Sequence, residues 1–182
     1  MSETMPVHAD FDAFDVRKLV SSRRQFEGQI PLAAFIRLKD LLTTPDSAES
    51  LNAPPYMVDY RVEFGTDELK IPSVEITVKA ELPLLCQRTL LPYNHPVAIR
   101  QTLGLLQDEA DEAALPPDYE PMLIPADGRI RPLELVEDEL IMAVPLVPYS
   151  PGTEMMEREW SPPGEETAAA NPFAALGTLK KS

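Results

Sequence analysis

The sequence predicts an α+β fold, in which an antiparallel β-sheet built from residues 57–106 is packed by helices at 31–42 and 132–144. Three features predict it. Val58, Tyr60, Val62 and Phe64 alternate with Asp59, Arg61 and Glu63, and Val74, Ile76, Val78, Ala80 and Leu82 alternate with Glu75, Thr77, Lys79 and Glu81. Successive side chains of a strand point to opposite faces, so each stretch has one buried and one wet face. That habit belongs to antiparallel sheets rather than to doubly covered parallel ones. Gly65-Thr66-Asp67-Glu68 then reads as the turn between the two strands. Finally, Pro132 starts and Pro145 stops a helix whose Leu133, Val136, Leu140 and Val144 form one apolar stripe.

The other elements follow in chain order. Residues 1–9 read as a loose start. Phe11, Phe14 and Leu19 suit a short helix over Asp10–Val20, with Asp10 as its N-cap. Phe26, Gly28 and Ile30 alternate with polar neighbours, which suits a short strand over 25–30. Pro31 opens the helix of 31–42, where Leu32, Phe35, Ile36, Lys39 and Leu42 recur at helical spacing. Residues 43–55 are rich in Thr, Ser, Asp, Asn and Pro and form a loop. A third strand is expected over 96–106. Residues 107–131 carry Pro116, Pro117, Pro121 and Pro125 and are expected to be mostly irregular, with a turn at Asp127-Gly128. Residues 1–148 thus read as a single α+β domain, and 149–182 as a flexible acidic linker ending in a short docking segment. Phe173, Leu176 and Leu179 share one side of that segment, as an arm for its own domain or a peptide for another protein.

Composition excludes several classes of function. The formal net charge is −14, which argues against indiscriminate nucleic-acid binding, because phosphate affinity comes from clustered Lys and Arg. The charges are unevenly spread. Residues 1–40 hold six acids and six bases, whereas residues 104–166 hold sixteen acids and three bases. Arg17, Lys18, Arg23 and Arg24 form the densest basic cluster and are the candidate RNA-binding residues. The acidic third is expected to turn away from them or to face a basic protein. No apolar run reaches the roughly 20 residues of a membrane helix, and Met-Ser-Glu-Thr-Met-Pro is no secretory signal. A cytoplasmic location is expected, with no membrane partner and no small-molecule substrate.

Chemistry-bearing clusters are few. Cys86 is the single cysteine, so no intrachain disulfide forms. Cys86-Gln87-Arg88-Thr89 carries Thr89 where a Cys-x-x-Cys half-site for zinc needs its second thiolate, and His8 and His95 do not complete a ligand set. No metal or cofactor is therefore expected, and Cys86 reads as a small buried residue at a strand end. Glu137-Asp138-Glu139 is the densest carboxylate run in the last helix. Clustered carboxylates serve magnesium binding or acid–base work, but three consecutive helical residues point in different directions. They read first as a solvated face near a helix start. No Gly-x-Ser-x-Gly elbow and no glycine-rich phosphate loop occurs.

Four stretches resemble the YceD family of large ribosomal RNA subunit accumulation proteins. They are Cys86-Gln87-Arg88, then Leu115-Pro116-x-x-Tyr119-Glu120-Pro121, then the run from Val136-Glu137-Asp138-Glu139 to Pro148, and Asn171-Pro172-Phe173-Ala174 with Leu176, Leu179 and Lys180. They fall in the family's order, between residues 86 and 180. The resemblance implies a non-enzymatic factor in synthesis, processing or stability of large-subunit ribosomal RNA. Many members of the family carry a second cysteine where this chain has Thr89. The expected partner is that RNA or a basic ribosome-associated protein. The rivals are a carboxylate-dependent RNA-processing nuclease and an adaptor without RNA contact.

Overall fold

A computed structural model describes residues 12–43 and 55–152. Within them, a five-stranded sheet runs in the order β2-β3-β4-β5-β6. Its strands are β2 (Gln25–Pro31), β3 (Met57–Thr66), β4 (Pro72–Leu85), β5 (Pro92–Leu106) and β6 (Glu120–Leu123). The first four pair antiparallel, in a register that aligns Phe26 with Val62 and Val62 with Ile76. This places the alternating apolar residues on one face. Val58, Val62, Val74, Ile76, Val78 and Leu82 are completely buried there.

Three helices cover that face: α1 (Val16–Ser21), α2 (Ile36–Lys39) and α3 (Pro132–Ala143). A separate two-stranded ribbon joins β1 (Phe14–Asp15) to β7 (Arg129–Ile130). Its pairing corrects the expected first helix. Phe14 pairs with Ile130 in an extended strand, so α1 starts later and is capped by Asp15, whose carboxylate accepts the Lys18 N–H at 3.0 Å. Asp10 lies outside the described residues.

The expected helix over 31–42 is broken. Pro31 ends β2 opposite Met57, and the Leu32 N–H donates to the Tyr56 carbonyl at 2.8 Å. A short 3₁₀ turn over Leu32–Ala34 follows, Phe35 is extended, and α2 is a single turn. Leu32, Phe35 and Leu38 are still buried, while Ile36 is 80% exposed. Helical spacing marked Leu32 and Phe35 as inward and Leu42 in part, but it missed Leu38 and wrongly included Ile36 and Lys39, because the backbone follows a tighter route.

Residues 107–131 are more ordered than their prolines suggest. A 3₁₀ helix spans Glu109–Ala114, capped by the Asp108 carboxylate on the Ala110 N–H. It serves as the crossover that a parallel pairing requires, and β6 then runs parallel to the end of β5. The third strand likewise starts earlier than expected, at Pro92. The helix over 132–143 matches its expectation, with Pro132 in the first turn and Leu133, Val136 and Leu140 buried.

Candidate functional site

The four cations of the basic cluster sit on one helix–turn unit. Arg17 and Lys18 are exposed on α1, Arg23 is exposed in the turn after it, and Arg24 is half-buried with its guanidinium 5.5 Å from the Phe26 ring centroid. None of the four forms an ion pair among the described residues. By contrast, Arg37, Arg61, Arg100 and Arg131 each bind a carboxylate. Arg23 adopts a left-handed φ of 48°, a conformation that costs a side-chain-bearing residue of order 1–2 kcal/mol.

Topology adds two cations that the sequence did not connect to this cluster. Arg129 pairs with Asp15 at the start of α1 and bonds the Ala13 carbonyl. Lys70 stands in the β3–β4 turn with φ 65°. The turn is closed by Lys70 N–H on the Asp67 carbonyl at 3.1 Å and by Ile71 N–H on the Asp67 carboxylate at 2.7 Å. Tyr119 donates to the other Asp67 oxygen at 3.2 Å. The Tyr119 hydroxyl is held above its usual pKa, first by desolvation and then by the Asp67 charge, so it remains a donor. Tyr119 is therefore a brace for the turn that presents Lys70.

Between α1 and this turn lies an open groove of about 630 Å³, with Arg17 and Lys70 among its lining residues and Val20, Ile71, Leu105 and Leu115 among its apolar ones. A hollow of about 390 Å³ adjoins it, sharing Val16, Arg17, Gln107 and Ile124. Gly104 lets the far wall close in, since a Cβ there would collide with the Leu115 side chain. Asp111 also lines the groove. The acidic third was expected to turn away from the cations or to face a basic protein; Asp111 instead lines the same groove as Arg17, because the 3₁₀ crossover returns it beside β5.

The family-motif residues form two further clusters. Cys86 is buried just past β4, at a strand end as expected. It is joined to the end of the described chain: the Ser150 N–H and hydroxyl reach its Sγ at 3.3 and 3.4 Å, and Gln87 N–H donates to the Pro148 carbonyl at 2.9 Å. The Arg88 guanidinium lies 5.3 Å from the Tyr149 ring centroid. The Ser150 donors, followed by Thr89, pull the thiol pKa down to about 5. Desolvation opposes them more weakly. Thr89 is thus a donor to the sulfur in the place of a second ligand.

The carboxylate run departs from the solvated face expected for it. Glu137 and Glu139 are each only 7% exposed, and Asp138 alone faces solvent. Glu137 accepts the backbone N–H groups of Arg37 and Leu38 at 2.7 and 3.2 Å and the Arg37 Nε at 3.0 Å, while Asp138 takes Arg37 Nη1 at 2.6 Å. The pair clamps α2 to α3. Glu139 has no hydrogen-bond donor among the described residues. Its pKa is raised, first by desolvation and then by Glu120 and Asp138. Glu120 is exposed at the start of β6. Asn171, Pro172 and Phe173, and the linker expected to precede them, lie outside the described residues apart from 149–152.

A family model described as "Large ribosomal RNA subunit accumulation protein YceD" matches residues 74–180. The chain is 35% identical over 127 residues to the large ribosomal RNA subunit accumulation protein YceD of Haemophilus influenzae, covering 66% of this chain and 72% of that protein. No solved structure matches.

Proposed function

This chain belongs to the YceD family, and from that premise we propose that it supports accumulation of large-subunit ribosomal RNA by binding that RNA, in the cytoplasm and without catalysis. The observation that carries the proposal is a set of cations on and around α1 that form no ion pair among the described residues: exposed Arg17, Lys18 and Arg23 and half-buried Arg24, with Lys70 and Arg129 beside them. Cations already neutralised by acids gain little from phosphate, whereas unpaired ones release counterions on contact. The net charge of −14 over the whole chain disfavours RNA contact away from this surface. Among the described residues no helix is long and apolar enough to cross a membrane.

Two experiments test it. Deleting the gene is expected to lower the large-subunit RNA relative to the small-subunit RNA, and an unchanged ratio would refute the role. Replacing Arg17, Lys18, Arg23 and Arg24 with Ala is expected to weaken binding and to flatten the log–log salt dependence by about 0.7–0.9 per lost phosphate contact. An unchanged affinity and slope would remove this surface from the interaction.

The fold weighs against the nuclease alternative: Glu137 accepts three hydrogen bonds, and the solvent-facing Asp138 is paired with Arg37. Metal-dependent RNA cleavage that disappears when both are replaced would restore it. One observation favours an adaptor for a basic ribosome-associated protein: exposed Glu120 stands next to Glu139, and neither carboxylate forms an ion pair among the described residues. Affinity capture from lysate with and without RNase separates the two modes, because only a direct protein partner survives the nuclease.

A further inference from the structure

We propose that the groove between α1 and the β3–β4 turn receives an unstacked base of single-stranded RNA, with Arg17 and Lys70 holding the phosphates on either side of it. This rests on the RNA-binding role above and narrows it from RNA in general to single strands.

The groove combines two surfaces that a nucleotide also combines. Its apolar lining is aliphatic, from Val20, Ile71, Leu105 and Leu115, and suits the flat apolar face of a base. Ser21, Thr66 and Gln107 place hydroxyl and amide groups around it, where the polar edge of a base would lie. Arg17 and Lys70 both line it and both are exposed. The opposite wall carries Asp111, followed by exposed Glu112, which repels phosphate. The charge pattern therefore gives the occupant a direction, with its backbone toward α1 and the Lys70 turn and its base inward.

The volume of about 630 Å³ falls within the roughly 300–1,000 Å³ of pockets that hold small ligands. A duplex keeps its bases stacked, and its deep, narrow major groove admits no side chains, so only unpaired nucleotides offer a free base.

The Lys70 turn supports the same occupant. A left-handed backbone is easiest for glycine, and a lysine held there is a strained residue of the kind that clusters at ligand contacts. Here the strain is maintained by Asp67 and, through Asp67, by Tyr119. Those bonds fix the cation at the groove's edge rather than leaving it on a free loop.

The test uses fluorescence anisotropy of the full chain with three fluorescein-labelled probes: a 12-nucleotide single-stranded RNA, the same strand with abasic sites at its centre, and its duplex. The expected result is binding of the intact strand about tenfold tighter than the abasic one, the scale of a single base contact, and tighter than the duplex. Ala114→Trp fills the groove from an exposed position without removing a cation. It should bring the intact strand down to the abasic level and leave the abasic affinity unchanged. Ser21→Phe fills it from the opposite wall and serves if the first variant does not fold. Equal affinity for intact and abasic strands, or preference for the duplex, overturns the base-binding groove while the phosphate contacts stand. No binding to any of the three at low salt removes the RNA-binding role itself.

Discussion

Replacing Glu137 with Ala is expected to cost about 3 kcal/mol of stability. The carboxylate serves the Leu38 N–H, which is buried, the Arg37 N–H, which is partly buried, and the Arg37 side chain. Removing it strands two backbone donors, at about 1–1.5 kcal/mol each. The guanidinium is 51% exposed and rehydrates, so its bond adds only about 0.5 kcal/mol. For a domain of this size the sum corresponds to a melting temperature lower by roughly 10 °C. Asp138→Ala removes only an ion pair whose partners are 51% and 50% exposed, expected to cost about 0.5 kcal/mol or less. Thermal and urea unfolding of the two variants side by side measures the ratio. A cost below about 1 kcal/mol for Glu137→Ala, or equal costs for the two, would refute the assignment of Glu137 as the clamp that holds α2.

Three further outcomes follow from the same geometry. The raised carboxyl of Glu139 means that the folded state holds its proton more tightly, so the group's contribution to stability is lost as pH rises through the folded pKa. Glu139→Gln should therefore be more stable than the parent at pH 7, with the gain vanishing toward about pH 4, as denaturant titrations across that range would show. Lys70→Gly relieves a backbone penalty of about 1–2 kcal/mol and adds about 0.5–1 kcal/mol of unfolded-state entropy. It should hold or slightly raise the melting temperature while weakening RNA binding, and a loss of stability would show the turn is not strained. Ser150→Ala removes the largest cause of the low Cys86 pKa. Thiolate absorbance of the single cysteine should then titrate at higher pH than about 5, and an unshifted titration would discount the Ser150 contact.

The sheet was legible because its signal is local. Alternation in 58–64 and 74–82 needs no partner to be seen, and the register then follows from burying one face. The proline-bounded α3 was legible for the same reason. The helix expected over 31–42 failed because Leu32, Phe35 and Leu38 reach the core equally well from a 3₁₀ turn, an extended residue and one helical turn. The burial of Glu137 could not be read, since its cation stands a hundred residues earlier in the chain and nothing in the spacing links Arg37 to it. Likewise four cations of the α1 surface lay together in sequence, but Lys70 and Arg129 join them only through β-sheet topology. The order of motifs identified Cys86, yet Ser150, which sets its chemistry, carries no mark of that role.

The ribbon of β1 and β7 has a consequence for the order of events during translation. Phe14 and Asp15 pair with Arg129 and Ile130, and the Val16 N–H donates to the Gly128 carbonyl at 3.0 Å. The segment bearing the cations is made well before β7, the strand that pairs beside it. A ribosome releases the chain from its N-terminus onward, so the start of α1 waits through the synthesis of β2 to β6 before β7 emerges to pair beside it. The contacts that hold the start of α1 therefore form only on a chain made through residue 130, whereas the turn after α1 is held earlier, by Phe64 N–H on the Arg24 carbonyl.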